Sequence, residues 1–141
     1  MPPWVLRQEW PGNTPGLRLR RARIAKGMTI RDLASITGLN CATIGRIEAG
    51  KEPASMPTLR ILSQTLDVPI PYLGGFETLP EETLGQRIRK ARLFHGLAKV
   101  EFARAIGVDV HTIATWEKGK RTPSTVHLAA LEPYLMVLRD K

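Results

Sequence analysis

A short segment at residues 40–49 places one arginine among small side chains. At helical spacing, Ile44 and Ile47 share one face of this segment. The opposite face carries Cys41, Ala42, Gly45, Arg46 and Ala49. A helix in the major groove of DNA must fit a width of about 12 Å, and an arginine there can donate two hydrogen bonds to guanine. The pattern therefore predicts a helix whose outer face contacts base edges, with an ordinary solvated helix as the alternative.

The composition of the chain suits a polyanionic partner. The 141 residues include 21 Lys and Arg against 13 Asp and Glu, which gives a formal net charge of +8. A basic balance of this kind favours nucleic acid. Cys41, the single cysteine, excludes an intramolecular disulfide, and the N-terminal sequence does not resemble a secretory signal. We therefore expect a cytoplasmic protein, and no membrane partner, because no apolar run approaches the roughly 18 residues of a membrane span.

Catalytic and metal-binding patterns are not found in the sequence. The three histidines are scattered, with no carboxylate or cysteine at ligand spacing. No set of nucleophile, base and oxyanion-stabilising group can be assembled, and no glycine-rich loop joins a strand to a helix. We therefore expect that the protein is not an enzyme and that it has no cofactor and no metal site.

The chain contains an internal repeat. Residues 16–51 align without a gap to residues 85–120, so each position matches the one 69 residues later. The identical positions in the first copy are Gly16, Arg18, Arg20, Ala22, Arg23, Gly27, Ala34, Gly38, Thr43, Ile44, Glu48, Gly50 and Lys51. Many of these are glycines or residues typical of protein cores, so the repeat duplicates a backbone path together with its core. Two similar domains are therefore predicted.

Turn and capping signals predict an all-α fold with four to five helices in each domain. Glycines end the expected helices, and Thr29, Asn40 and Asp109 are suited to begin them. In the first copy we expect helices at residues 17–26, 29–37, 40–50, 57–67 and 69–73. In the second copy we expect them at residues 84–95, 109–119, 124–131 and 133–138, with a second helix that ends at Ile106 before Gly107. The predicted organisation is an extended arm at 1–15, a first domain at 16–74, a linker at 75–83 and a second domain at 84–141.

Several short motifs resemble the phage repressor and Cro type of helix-turn-helix domain, the XRE family. In the first copy they are Gly27-Met28-Thr29, Asp32-Leu33-Ala34, Gly38-Leu39-Asn40, Thr43-Ile44 and Arg46-Ile47-Glu48-Ala49-Gly50-Lys51. In the second copy they are Gly96-Leu97, Glu101-Phe102-Ala103, Gly107-Val108, Thr112-Ile113 and Trp116-Glu117-Lys118-Gly119-Lys120. The resemblance implies two tandem lambda-repressor-like helix-turn-helix domains. It covers nearly the whole chain except the arm and the linker.

The resemblance implies which residues of the first copy contact DNA. The third helix of the family lies in the major groove, which assigns its outer positions to base contacts. These positions are Asn40, Cys41, Ala42, Gly45 and Arg46. Arg46 is the candidate for a bidentate contact to guanine, with a phosphate contact as the alternative. The family also pairs a first-helix arginine with a glutamate near the end of the third helix, which implies Arg23 with Glu48 and Arg92 with Glu117.

Two departures from the family pattern affect the expected phosphate contacts. The family commonly has a glutamine at the start of the second helix, where this sequence has Ile30 and Lys99. Lys99 can still bind a phosphate, whereas the Ile30 side chain cannot form a hydrogen bond. In the first copy, phosphate binding is therefore expected to fall on other polar residues and on amides at helix starts. These residues are Thr29, Arg31, Thr43 and Lys51.

The second copy is expected to be the weaker reader of DNA. Its candidate contacts on and beside the third helix are Val110, His111, Thr112, Thr115 and Lys120. Residues 1–75 carry 10 basic and 5 acidic side chains, whereas residues 76–141 carry 11 and 8. Glu101 and Asp109 would repel phosphate, although the family tolerates acidic residues in the second helix and at helix caps. Dimerisation or packing is the alternative role for this copy.

Together these features predict a transcriptional regulator that binds double-stranded DNA by sequence, with one recognition helix in each domain. The binding site would be a direct or an imperfect inverted repeat, and the sequence leaves open whether the chain forms a homodimer. The alternative from another class is a protein–protein adaptor or coactivator built on the same domains, with Val110 in the contact surface. RNA binding is a third interpretation.

Overall fold

The computed structural model describes residues 13–139, and all regular structure in that range is helical. The chain divides into two compact units between Gly75 and Phe76. The first unit contains α1 (Pro15–Ala25), α2 (Ile30–Thr37), α3 (Cys41–Glu48), α4 (Met56–Leu66) and α5 (Ile70–Gly74). The second contains α6 (Leu84–Phe94), α7 (Lys99–Ile106), α8 (Val110–Glu117) and α9 (Thr125–Leu135), then a 3-10 turn (Met136–Leu138). The prediction of an all-α fold is confirmed.

The helices of the two units keep the register of the sequence repeat. Pro15 and Leu84, which begin α1 and α6, are 69 positions apart, and so are the residues that end these helices. The same offset relates α2 to α7, α3 to α8 and α4 to α9. The structural repeat therefore extends through the fourth helix, beyond the residues that match by identity.

The core of the first unit is formed by the inner faces of its five helices, of which α5 contributes Leu73. The side chains that are at most 2% exposed include Leu19, Leu33, Ile44, Leu62 and Leu66. Burying each of them stabilises the fold by roughly 1.5–3 kcal/mol relative to leaving it exposed. Arg18 of α1 attaches α5, because its Nη1 donates a hydrogen bond of 2.8 Å to the Tyr72 carbonyl. The Arg18 guanidinium also lies 4.6 Å from the centre of the Tyr72 ring.

The core of the second unit uses larger side chains at matched positions. Phe102 and Trp116 replace Leu33 and Ile47 of the first unit, and both are buried. Tyr134 of α9 packs edge-on against Phe102, with ring centroids 5.1 Å apart. The two units therefore share a helix arrangement but fill it with different side chains.

The last helix differs from the sequence-based expectation. A proline usually ends or kinks a helix, so separate segments at 124–131 and 133–138 were predicted. Instead, α9 continues through Pro133 as far as Leu135. Pro133 cannot donate to the carbonyl of Ala129, but Ala129 is exposed, so water can bind that carbonyl. The two predicted segments are one helix followed by a short 3-10 turn.

The predicted linker at residues 75–83 makes specific contacts with α6. Lys90 is 2% exposed, and its Nζ lies 2.8 Å from a carboxylate oxygen of Glu81. The same Nζ donates to the carbonyl of Glu77 at 3.1 Å. These contacts hold much of the segment against α6, within the second unit. The predicted arm at 1–15, with Trp4 and Trp10, lies outside the described residues up to residue 12, and Pro15 already begins α1.

Candidate nucleic-acid interface

The turn between α2 and α3 is fixed by local hydrogen bonds. Gly38 adopts a left-handed conformation with φ 77°, which a glycine does without strain. The buried hydroxyl of Thr37 donates to the Leu33 carbonyl at 2.7 Å and accepts from the Leu39 N–H at 3.2 Å. Asn40 then begins α3, since its side chain accepts from the Ala42 N–H at 2.8 Å. These bonds set the direction of α3 relative to α2.

The two faces of α3 are separated as the spacing predicted. Ile44 is fully buried and Ile47 is 6% exposed, so both side chains belong to the core. The residues expected on the outer face are exposed, apart from the half-buried Gly45. They are Asn40, Cys41, Ala42, Arg46 and Ala49. Within the first unit, α3 therefore offers a surface with one long side chain among short ones.

An ion pair attaches the end of α3 to α1. Arg23 Nε donates to Glu48 at 2.7 Å and Nη2 donates to its other oxygen at 3.0 Å, while Nη1 donates to the Met28 carbonyl at 2.8 Å. The Arg23 and Glu48 side chains are only 11% and 8% exposed. The hydrogen bonds from Arg23 to Glu48 raise the pKa of the guanidinium, while burial lowers it by less. The pair expected from the family pattern is confirmed.

The second unit contains the same attachment. Arg92 Nε lies 2.7 Å from Glu117, and its Nη1 donates to the Leu97 carbonyl at 2.9 Å. Both side chains are nearly buried, at 6% and 4% exposure. This expected pair is also confirmed, and it holds α8 against α6 as the first pair holds α3 against α1.

Arg46 has two partners inside its own unit. Its Nε donates a hydrogen bond to Oε1 of Glu52, which follows the end of α3. Its Nη2 lies 3.4 Å from the hydroxyl oxygen of Thr43, one turn earlier on the helix. The Arg46 side chain is still 51% exposed. Glu52 could not be recognised from the sequence as a partner of Arg46, because a separation of six positions across a helix end follows no helical spacing.

The start of α2 carries a carboxylate that the sequence analysis did not assign to the site. Asp32 accepts from the Thr29 N–H at 2.9 Å, and Thr29 accepts from the Asp32 N–H at 3.0 Å. This capping box uses two of the four free amides at the helix start. The bond from the Thr29 N–H, with a smaller contribution from the Thr29 hydroxyl, lowers the pKa of Asp32. The signal in the sequence was an acidic residue three positions after a threonine.

The remaining candidates of the first unit lie around this helix start and the outer face of α3. Thr29, Arg31 and Lys51 are exposed, whereas Thr43 and Ile30 are half-buried. Arg31 is an exposed cation at the start of α2, where phosphate binding is favoured, whereas Lys51 follows the end of α3. The structure thus leaves the Arg31 and Lys51 side chains exposed to solvent, and it leaves the Thr43 hydroxyl shared with Arg46.

The candidates of the second unit form a less polar surface. Val110 is 42% exposed. His111, Lys99 and Lys120 are exposed, and Thr112 is half-buried. The half-buried Thr115 donates its hydroxyl hydrogen to the Thr112 carbonyl at 2.8 Å, so this group is less available as a donor to a ligand. In the repeat register, Thr115 stands where the first unit has Arg46.

The described residues contain neither a candidate metal site nor a membrane-spanning helix. Among residues 13–139, no group of three His, Cys, Asp or Glu side chains is placed to hold a metal ion. None of the helices in this range has the length and apolar composition needed to cross a membrane. The surface around α3, with its exposed arginine, is the principal candidate site in the part of the chain that the structure describes.

Comparison with known proteins identifies the family. A helix-turn-helix family matches residues 19–73 and, separately, residues 88–135, which together exceed half of the chain. An uncharacterized HTH-type transcriptional regulator of Bacillus subtilis (strain 168), RghRB, is 38% identical over 72 residues. That match covers 48% of this chain and 52% of RghRB, so the chain spans about half the length of this relative. No solved structure matches the chain. The chain belongs to the helix-turn-helix family, with two tandem copies of the XRE type, as the sequence predicted.

Proposed function

We propose that the protein binds double-stranded DNA by sequence and regulates transcription by occupying its site, with α3 in the major groove. The observation that carries this proposal is the outer face of α3, where Arg46 stands exposed among short side chains. The family and the name of RghRB, an HTH-type transcriptional regulator, support the same role. Arg46 would donate to O6 and N7 of a guanine.

The contacts that hold α3 to the rest of the first unit support its role as a recognition helix. Ile44 and Ile47 anchor it in the core, and the Arg23–Glu48 pair fixes its end. A binding element that is already rigid loses little conformational entropy when it binds. Base contacts depend on such positioning, because a bidentate contact requires two donors at defined places.

Phosphate contacts would come from the residues around the reading helix. We assign this role to Thr29, Arg31, Thr43 and Lys51 in the first unit. Asp32 repels phosphate at the start of α2, so the two exposed cations must outweigh it. Because each neutralised phosphate releases counterions, log affinity should fall by roughly 0.9 per contact for each decade of salt concentration.

The second unit would add affinity more than sequence preference. Lys99 and Lys120 are exposed and can bind phosphate, and His111 offers one polar group to a base edge. The side chains of Val110, Thr112 and Thr115 are short and uncharged, so they would contact the DNA only where it lies against α8. Two recognition helices in one chain predict a DNA site that is a direct or an imperfect inverted repeat. A homodimer would double the number of recognition helices.

An adaptor role is the second candidate, and the exposure of Val110 favours it. Apolar side chains on a recognition helix can contact a protein instead of a base. In that case α8 would bind a partner protein, and duplex DNA would not be selected by sequence.

Selection from a random duplex pool, with the full chain at several salt concentrations, tests the proposal. The wild type should enrich a motif, and Arg46→Ala should lose preference at one guanine, by tenfold to a hundredfold. Arg31→Ala is the matched control, since loss of a phosphate contact weakens binding to all sequences and leaves the motif intact. Absence of any enriched motif would contradict the proposal. Single-stranded RNA competitors would reveal the RNA alternative.

A further inference from the structure

The Arg46 guanidinium group contacts other residues of the protein along one of its edges. Its Nε donates to Glu52, and Nη2 lies 3.4 Å from Thr43 Oγ1. In a guanidinium group, the Nε hydrogen and one Nη2 hydrogen point to the same side. Glu52 and Thr43 therefore occupy the same edge of the group, and both acceptors belong to the protein.

The terminal edge of the Arg46 guanidinium is free to bind a ligand. A guanidinium group has five N–H donors, of which Nη1 carries two and Nη2 carries two. Among residues 13–139, no acceptor contacts Nη1 of Arg46. Nη1 and the second hydrogen of Nη2 form a terminal fork, and a fork of two parallel donors is what O6 and N7 of guanine accept.

The Arg46–Glu52 pair is not explained by stability. Its side chains are 51% and 39% exposed, and ion pairs at such positions contribute little to folding because water screens them. An arginine side chain does lose considerable rotamer freedom when it binds. A partner that orients it beforehand reduces that loss and fixes where its donors point.

A carboxylate beside the reading residue also discriminates against unspecific binding. Glu52 repels phosphate, so an Arg46 that reaches for the DNA backbone would have to leave an ion pair and approach a like charge. A guanine that accepts from the terminal fork allows the pair to remain. The first unit alone carries this device, since Thr115 and Arg121 stand at the matched positions of the second.

We infer that Glu52 is a specificity-determining residue of the DNA site: it positions Arg46 so that the terminal fork selects guanine. This inference rests on the proposed function. Glu52 need not touch the DNA, because it acts through Arg46.

The test measures binding of the full chain to its selected duplex and to the duplex in which the guanine opposite Arg46 is replaced. Glu52→Ala should lower the preference for guanine by about tenfold, while binding to the replaced duplex stays equal or becomes tighter. Glu52→Gln keeps an acceptor for the Nε hydrogen of Arg46 but removes the charge, so it should lose less of the preference for guanine. Asp67→Asn is the matched control, because it removes one negative charge from the same unit at an exposed residue.

The outcomes separate this inference from the proposed function. If Glu52→Ala keeps the full guanine preference, or gains affinity for both duplexes equally, Glu52 does not position Arg46 and only repels DNA. The proposed function would survive that result. If the wild type enriches no motif at all, both proposals are wrong. Thermal unfolding of each variant verifies that the exposed substitutions leave the fold intact.

Discussion

Gly16 of α1 lies so close to the end of α3 that a Cβ atom on it would be 2.5 Å from the carbonyl oxygen of Glu48. The same relationship recurs in the second unit, where a Cβ on Gly85 would be 2.7 Å from the Glu117 carbonyl oxygen. The atoms in the way are backbone atoms, which cannot rotate aside. Each glycine is therefore required by the close contact between the first and third helices of its unit, which in the first unit positions α3.

Substitution of Gly16 should destabilise the first unit. In Gly16→Ala, α1 must move away from α3, and overpacking of this kind costs about 2 kcal/mol of unfolding free energy. Urea unfolding followed by circular dichroism measures the change. Gly85→Ala is the matched variant and should act similarly on the second unit. A loss below about 0.5 kcal/mol would mean that the helices separate easily and that the close approach is not needed.

Gly45 should behave in the opposite way. A Cβ atom there would have no neighbour within 4 Å, so Gly45→Ala removes only the low helix propensity of glycine and should stabilise the protein by up to about 1 kcal/mol. On the proposed function, the added methyl group stands between α3 and the bases and should weaken binding to the selected duplex. Equal affinity of this variant and the wild type would show that α3 does not approach the bases at this residue.

Breaking the Arg23–Glu48 pair should be costly. Arg23→Ala leaves the 8% exposed Glu48 carboxylate without its bidentate partner, and the expected loss is about 3 kcal/mol of unfolding free energy. Glu48→Ala and the double variant complete a double-mutant cycle by urea unfolding. If the two single losses simply add in the double variant, the two side chains do not act as a pair.

Much of the fold could be predicted because its signals act over short distances along the chain. Thr29, Asn40 and Asp109 cap their helices as expected, since a capping side chain reaches amides only two or three residues away. The faces of α3 followed from helical periodicity alone, as Ile44 and Ile47 show. Because the repeat has no gap, the helices predicted for the first unit also predicted those of the second.

The features that could not be predicted from the sequence depend on the path of the chain between helices, which no local pattern specifies. The pairing of Arg46 with Glu52 requires knowing how the chain turns after α3. The contacts of Lys90 with Glu77 and Glu81 require a segment, expected to be a linker, to fold back on α6. The roles of the outer residues of α3 in DNA binding stay predictions, because they concern a partner rather than the fold.

The capping box at the start of α2 should make stability depend on pH through Asp32. Hydrogen bonds from Thr29 hold the pKa of Asp32 below its ordinary value of 3.8, so the ionised carboxylate is stabilised in the folded state relative to the unfolded chain. This contribution is fully present above the unfolded pKa and is lost as the pH falls through the lower, folded pKa. Stability should therefore decrease in that acidic range.

Asp32→Asn isolates this effect from the titration of the other carboxylates. The difference in unfolding free energy between the wild type and the variant should stay constant from about pH 8 to about pH 5, and it should shrink as the pH falls below 3.8. Thermal and urea unfolding at each pH provide the measurement. A difference that stays the same down to about pH 2 would mean that the folded and unfolded states bind the Asp32 proton equally, and that the bonds from Thr29 do not favour the charged form.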